Sequence, residues 1–249
     1  MASNNPFDNL NFDKFRDLAK SDNLSHHEKV GFPNAYREGK EELIFADVQA
    51  KLTSLSGTGK TVLEIGPGCS QLPVMLAQLC SERQHQLLLI DSQEMLDLLP
   101  DAPHVRKMAG RYPAIDGLFE GFTGKVDVII AYSVIQYVFA EGNMWDFLDR
   151  SLALLADGGE ILFGDVPNAT MRKRFFASNA GIACHQAYTG RDELPEVHFN
   201  RLEAGQMDDS VVMSLLARAR AQGFHGWVLP QAADLPMANR REDILIRRP

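Results

Sequence analysis

The stretch TVLEIGPGCSQLPVMLAQLC, residues 61–80, decides the fold. It begins with an apolar run of the kind found in a strand that is buried on both faces of a sheet. Two glycines, Gly66 and Gly68, then flank Pro67, and residues 71–80 have the apolar spacing of a helix. A buried strand, a tight turn and a helix in this order are typical of an open α/β sheet that binds a small molecule at the turn.

The same alternation continues along the chain. Further apolar runs rich in Val, Ile and Leu occupy residues 86–91, 125–132 and 159–166, with a weaker run at 104–109. Segments with helical spacing lie between the runs, at residues 93–99 and 143–156. Strands that alternate with helices predict right-handed βαβ units and a parallel, doubly wound sheet.

The C-terminal part of the chain has a different pattern. A predicted helix at residues 209–222 is followed by two apolar runs, 224–230 and 242–248, with only a loop between them. Two strands without a crossover helix pair most easily as an antiparallel hairpin. The expected fold class is therefore α/β, with a doubly wound, mostly parallel seven-stranded sheet and an antiparallel C-terminal hairpin strand.

The chain is expected to divide just before its first strand. The residues ahead of that strand are polar with helical spacing, so residues 1–57 are predicted to form a helical N-terminal cap or lid. Residues 58–249 are predicted to form the core, with a lid insertion near 168–208. No internal repeat or low-complexity tract indicates a further division.

Composition and charge exclude several classes of function. Of the 249 residues, 45% are hydrophobic and 23% are charged, as in an ordinary globular protein. No apolar run approaches the ~20 residues that span a bilayer, which predicts no membrane partner. The net charge of −8 argues against a nucleic-acid partner, since such binding needs basic surface. The N-terminus lacks a secretion pattern and the cysteines lack metal-ligand spacing, which predicts a cytoplasmic protein without a bound metal.

The glycine turn itself discriminates between cofactors. Dinucleotide-binding turns follow the pattern G-x-G-x-x-G, whose backbone N–H groups hold a pyrophosphate. Here the third glycine position is Gln71, and Pro67 removes one N–H donor from the turn. No Gly-Lys-Ser/Thr sequence follows the strand, so a nucleoside triphosphate is disfavoured even more than a nicotinamide.

The combination Glu64-x-Gly66-x-Gly68, with Asp91 at the end of the second strand, resembles class I S-adenosylmethionine-dependent methyltransferases. The segment LLADGGEILFGDV, residues 154–166, is similar to the helix, Gly-Gly turn and fifth strand of that family. The resemblance covers roughly residues 58–249. It implies a methyltransferase fold with S-adenosyl-L-methionine as cofactor, S-adenosyl-L-homocysteine as product and no metal.

The resemblance also implies a cofactor site. The glycine turn would pass under the methionine part, and Asp91 would bind the ribose hydroxyls. Asp91 could instead cap the following helix, and Glu64 could be a strand-end carboxylate held by backbone N–H groups. Many family members carry an acid for the adenine amino group where this chain has Arg111, so adenine would be read by backbone groups or stacked on Arg111. The implied cofactor residues are Glu64, Gly66, Pro67, Gly68, Asp91, Ser92, Gly110, Arg111, Ala131, Tyr132 and Ser133.

The methyl acceptor has to be placed in line with the sulfonium and shielded from water. By analogy with the family, Gln136 and Tyr137 follow the fourth strand beside the transferred methyl. A hydroxyl acceptor also needs a base. The catalytic candidates are Tyr137, Gln136 and His27, and further candidate bases are His26, His185, His198 and Asp165.

The segment HHEKVGFPNAYREGKEELIF, residues 26–45, resembles methyltransferases of bacterial surface-polysaccharide clusters. Together with MRKRFF, residues 171–176, it predicts a cationic lid over a small anionic or sugar-derived acceptor, with O-methylation favoured. The substrate candidates are Tyr36, Arg37 and Arg172. Two alternatives stay open: a non-catalytic S-adenosylmethionine-binding scaffold or sensor, and more remotely a nicotinamide-dependent oxidoreductase. The oligomeric state is not indicated.

Overall fold

The computed structural model describes residues 10–32 and 37–249. The strands are β1 (Thr61–Ile65), β2 (Gln86–Asp91), β3 (Val105–Ala109), β4 (Val126–Tyr132), β5 (Leu155–Pro167), β6 (His225–Pro230) and β7 (Arg241–Arg247). The helices are α1 (Phe12–Ala19), α2 (His26–Lys29), α3 (Glu41–Lys51), α4 (Gln71–Glu82), α5 (Gln93–Leu96), α6 (Leu118–Phe122), α7 (Ile135–Glu141), α8 (Met144–Leu154), α9 (Ala169–Phe176), α10 (Asn179–Thr189) and α11 (Asp209–Ala221). None of the helices in this part of the chain is long and apolar enough to cross a membrane.

The strands form one seven-stranded sheet in the order β3-β2-β1-β4-β5-β7-β6. The first five strands are parallel, while β7 runs antiparallel to both β5 and β6. This confirms the mostly parallel sheet with an antiparallel C-terminal strand. The strand order reverses between β1 and β4, and open α/β sheets bind ligands at the carboxyl ends of the strands beside such a switch point.

Apolar side chains cover both faces of the sheet. Successive residues of β1 point to opposite faces, so Leu63 and Ile65 lie in one buried cluster and Val62 lies in the other. Helix α3, which precedes the first strand, packs Ile44 and Val48 into the second cluster. This helix therefore contributes side chains to the packed core.

Two predicted elements have different bounds. The helix expected at 93–99 ends at Leu96 and continues as i→i+3 turns, because Pro100 disfavours the helical conformation of the residue before it. Strand β5 begins at Leu155, directly after α8, and is longer than the expected 159–166. Its extra residues pair Leu155 with Val126 at an irregularity in the sheet.

Candidate functional site

A cavity of about 340 Å³ opens at the carboxyl ends of the strands beside the switch point. Its floor is the glycine turn after β1 together with the ends of β2 and β4, and Phe12 and Phe15 of α1 close it from the N-terminal side. We call it the switch-point cavity. Its volume lies within the range of small-molecule sites, which runs from roughly 300 to 1,000 Å³.

The glycine turn forms the floor of this cavity in a conformation that requires glycine. Gly66 and Gly68 have φ angles of +67° and +63°. A Cβ atom on Gly66 would lie 2.7 Å from Val134 Cγ2, and one on Gly68 would lie 2.4 Å from Val30 Cγ1. Both glycines line the cavity, where a ligand can approach their backbone closely. Pro67 also lines the cavity, as the resemblance implied.

Glu64 has a buried carboxyl group with one oxygen that lacks a hydrogen-bond partner among the described residues. Its side chain is 2% exposed, and its Oε2 atom is buried without a hydrogen bond to any described residue. Burial, reinforced by the charge of Asp91, raises the pKa of Glu64 to about 8. An unpaired buried charge is costly, so this carboxyl group fits a ligand that brings a cation to the cavity. The ammonium group in the methionine part of S-adenosylmethionine is such a cation.

Asp91 lies at the end of β2, on the wall beside the glycine turn. Its Oδ2 accepts the Gly68 N–H at 3.0 Å, and its Oδ1 accepts the Ser92 N–H at 2.6 Å. Burial raises the pKa of Asp91 to about 6, although both hydrogen bonds oppose this shift. Ser92 does not line the cavity: its buried Oγ accepts the Met95 N–H at 3.3 Å and caps α5. The helix-capping role considered for Asp91 thus falls to Ser92, which leaves Asp91 facing the cavity.

The opposite end of the cavity is reached through the loop after β3. Gly110 and Arg111 both line it, and the Arg111 guanidinium lies 6.0 Å from the ring centre of Phe12. Asn143 and Asp146, at the start of α8, also line this end, and they were missed in the sequence. Asn143 caps α8 by accepting the N–H groups of residues 145 and 146, and that local signal could have marked the turn but not its place in the cavity.

The residues at the end of β4 are divided between the hydrophobic core and the cavity. Ala131, predicted as a cofactor residue, is fully buried in the hydrophobic core and is not among the residues that line the cavity. Alternation along the strand turns this side chain away from the site. Tyr132 and Ser133 do line the cavity, and burial first, then the nearby Asp165 carboxylate, raises the pKa of Tyr132 well above its usual value.

A buried ionic cluster borders the cavity beside the end of β4. Arg37 donates from Nη2 to Asp165 Oδ2 at 2.8 Å and to Ser133 Oγ at 2.6 Å, and its guanidinium packs 3.9 Å from the ring centre of Phe32. Arg241 donates to the same Asp165 oxygen at 2.8 Å. Arg37 lines the cavity as expected, but it is already paired with a carboxylate that the sequence had suggested only as a base.

Tyr137 is the catalytic candidate that reaches the cavity. Its ring meets Phe15 edge-to-face with 5.0 Å between ring centres, and burial raises the pKa of its hydroxyl. It also lines a second cavity of about 430 Å³, which we call the side cavity. Gln136 and Arg172 line the side cavity and not the first one. Gln136 donates to Ser133 O at 2.8 Å, and Arg172 forms an ion pair with Glu203.

The histidine candidates lie outside both cavities. His27 is paired with Glu41, and His26 contacts the Cys69 carbonyl oxygen at 2.9 Å through Nδ1. His185 and His198 approach glutamates within the segment after β5. Tyr36 lies outside the described residues. Within residues 10–32 and 37–249, no group of three or more His, Cys, Asp or Glu side chains is arranged to hold a metal ion.

No protein-family model and no curated protein matches the sequence. Solved structures nevertheless match its fold. The plantazolicin methyltransferase BpumL, in complex with a monoazolic desmethylPZN analog and SAH, is 14% identical with a TM-score of 0.58, over 94% of this chain and 95% of that one. The N-methyltransferase NodS from Bradyrhizobium japonicum WM9, in complex with S-adenosyl-L-homocysteine, is 16% identical with a TM-score of 0.56, over 96% and 98% of the two chains.

The CurJ carbon methyltransferase is 16% identical with a TM-score of 0.53, over 90% of this chain and 61% of its own. All three matches cover at least 90% of this chain with TM-scores above 0.5. At 14–16% sequence identity, these matches are evidence of a shared fold and of nothing further. The chain therefore has the Rossmann-like fold of the S-adenosylmethionine-dependent methyltransferases.

Proposed function

We propose that the protein is an enzyme that transfers a methyl group from S-adenosyl-L-methionine to a small-molecule acceptor and releases S-adenosyl-L-homocysteine. One observation carries the proposal: the unpartnered Glu64 oxygen, the glycine turn and Asp91 converge on a single cavity at the switch point. A buried acid without a partner, a bare backbone and a second carboxylate are three groups that this cofactor needs at its methionine and ribose parts.

The residues at the carboxyl ends of the first three strands have distinct roles in this proposal. Glu64 binds the ammonium group, the Gly66–Gly68 turn lies against the methionine part, and Asp91 accepts the hydrogen bonds of the ribose hydroxyls. Gly110 and Arg111 border the adenine. When bound, S-adenosylmethionine supplies a methyl group that its sulfonium already activates, so the chain has to position the acceptor and exclude water.

Tyr137 is proposed to line the path of the acceptor, next to the polar cluster of Arg37, Ser133 and Asp165. A hydroxyl acceptor would find a hydrogen-bond partner in the Ser133 hydroxyl, which contacts Asp165. We favour oxygen as the methylated atom for this reason. The neighbouring structures include an N-methyltransferase and a carbon methyltransferase, so the fold is compatible with other acceptor atoms.

The acceptor is proposed to be an anionic or sugar-derived precursor of a bacterial surface glycan, modified in the cytoplasm. The resemblance of residues 26–45 supports this class, as do the arginines around the two cavities. Residues 1–57 would act as the cap and 168–208 as the lid of the 58–249 core. Phe12 and Phe15 of that cap already line the switch-point cavity.

The cofactor assignment is tested by titrating S-adenosylhomocysteine calorimetrically into the wild type, Asp91→Ala and the control Asp97→Ala. Asp97 is exposed and accepts a hydrogen bond from Gln93 on the same helical turn, away from the cavity lining, so its loss should leave the affinity unchanged. Asp91→Ala should weaken binding about 10- to 150-fold per charged hydrogen bond lost, since each contributes about 1.5–3 kcal/mol. Equal affinity in all three proteins would contradict the assignment.

Two further outcomes separate the alternatives. Tight NADH binding without any response to S-adenosylhomocysteine would favour the oxidoreductase. A labelled methyl group offered as S-adenosylmethionine, together with a bacterial small-molecule extract, should appear in an extract component. If the cofactor binds but no label ever moves, the scaffold or sensor is the better description.

A further inference from the structure

The side cavity has no role in cofactor binding as proposed above. It adjoins the switch-point cavity, and Tyr137 lines both. It is formed by α7, by the start of α9 after β5, and by the loop that leads into β7. A ligand bound in the side cavity could therefore reach past Tyr137 to the cofactor.

The charge of the side cavity is positive. Three arginines, Arg172, Arg240 and Arg241, line it, and among the described lining residues there is no Asp or Glu. The Arg240 guanidinium lies 5.8 Å from the ring centre of Phe176, and no carboxylate of residues 10–32 or 37–249 forms an ion pair with it. Arg240 is half-buried, so its charge is partly withdrawn from water.

The other two arginines are only partly neutralised. Arg241 shares the Asp165 carboxylate with Arg37, so two guanidinium groups face one negative charge. Arg172 shares the Glu203 carboxylate with Lys173. Five cationic side chains, with those of Arg240 and Lys173 included, meet the two carboxylates of Asp165 and Glu203, which leaves an excess of three positive charges.

One further acid, Glu242, lies behind this wall and brings the excess down to two positive charges. Glu242 accepts a hydrogen bond from Asn168 Nδ2 at 2.7 Å. Burial raises the pKa of Glu242. An excess of two positive charges matches a phosphate monoester, which carries close to two negative charges at pH 7.

The side cavity also offers an unsatisfied hydrogen-bond acceptor. Gln136 lines it, and because its Nε2 donates to Ser133 O, its Oε1 is the free end of the amide. That oxygen is buried and has no partner among the described residues. A buried carbonyl oxygen without a donor is unfavourable, and a ligand hydroxyl would satisfy it. The side cavity is therefore suited to a ligand that carries both an anionic group and a hydroxyl group that donates a hydrogen bond.

We propose that the side cavity binds the phosphate group of a phosphorylated, polyhydroxylated acceptor, such as a sugar phosphate. Arg240 and Arg241 bind the phosphate oxygens, for which planar guanidinium groups are well suited. Gln136 accepts a hydrogen bond from a hydroxyl, and the part of the acceptor that passes Tyr137 receives the methyl group. The last step rests on the proposed methyltransferase function, whereas phosphate binding does not.

The proposal is tested by calorimetry with glucose 6-phosphate, glucose, glucuronate and inorganic phosphate, each with and without saturating S-adenosylhomocysteine. We expect glucose 6-phosphate to bind more tightly than inorganic phosphate, and glucose not to bind. Arg240→Gln should weaken both phosphate ligands about 10-fold or more, the loss expected for a charged hydrogen bond. The control Arg191→Gln, whose side chain is 75% exposed in the segment after α10, should bind like the wild type.

A second measurement uses the unmodified protein. Phenylglyoxal modifies accessible arginines, and inorganic phosphate should protect Arg240 but not Arg191, as read by mass spectrometry of peptides. The proposal is overturned if phosphate protects neither or both alike, or if glucuronate binds better than glucose 6-phosphate. Failure of S-adenosylhomocysteine to bind, with phosphate binding intact, would remove the proposed function and leave this site standing.

Discussion

Binding of S-adenosylhomocysteine should release a proton from Glu64. The carboxyl group is buried without a partner among the described residues, and burial raises its pKa to about 8. An ammonium group brought next to it favours the ionised form and lowers that pKa. The carboxyl group therefore loses its proton when the ligand binds near neutral pH.

The size of the effect follows from the pKa. At pH 7 a group with a pKa of about 8 is about 0.9 protonated, so about 0.9 proton leaves if the bound pKa falls below ~5. Asp91, with a pKa of about 6, can add at most about 0.1 proton at that pH. At pH 9 the release from Glu64 should drop to about 0.1, because the free protein has already ionised.

The assay is calorimetric titration at pH 7 in PIPES, HEPES and Tris, whose ionisation enthalpies differ. The slope of binding enthalpy against ionisation enthalpy counts the protons exchanged. Glu64→Gln should reduce the count to about 0.1. The ligand 5′-methylthioadenosine, which lacks the ammonium group, should give the same low count with the wild type. Equal proton release by the wild type and Glu64→Gln would refute the placement of the ammonium group at Glu64.

Three further predictions concern stability and the glycine turn. Without ligand, the free energy of unfolding should fall as pH rises from about 4.5 to 8, because folding raises the pKa of Glu64 and the folded protein therefore binds this proton more tightly. Urea titrations should show a weaker dependence of the free energy of unfolding on pH for Glu64→Gln. Gly68→Ala should abolish S-adenosylhomocysteine binding, because its Cβ would lie 2.4 Å from Val30 Cγ1 at a φ of +63° and would distort the glycine turn; affinity like that of the wild type would contradict the placement of the ligand on this turn. Arg37→Ala should destabilise the protein by about 3 kcal/mol, since Asp165 stays buried with one partner fewer, whereas breaking the exposed Arg218–Asp149 pair should cost less than about 1 kcal/mol. If Arg37→Ala and the breaking of the Arg218–Asp149 pair lowered the free energy of unfolding equally, the Asp165 cluster would not be effectively shielded from water.

The sheet and the cofactor turn were largely predictable from the sequence, because both depend on local patterns. Runs of apolar residues marked six of the seven strands clearly, and the missing crossover helix marked the antiparallel end. Glu64, Gly66, Gly68 and Asp91 lie within one strand-turn-helix-strand unit. Their spacing alone brings them to the same edge of the sheet, and the cavity is there.

Residue partners beyond that unit were decided by tertiary packing alone. Arg37 and Asp165 are 128 residues apart, and no local pattern indicates that they pair or that Arg241 shares the carboxylate. The orientation of Ala131 into the core, one residue before Tyr132 in the cavity, depends on the phase of β4 against its neighbours. The sequence shows how many arginines the chain has. Which of them keep an unneutralised charge beside a cavity depends on which distant carboxylates the folded chain brings within reach.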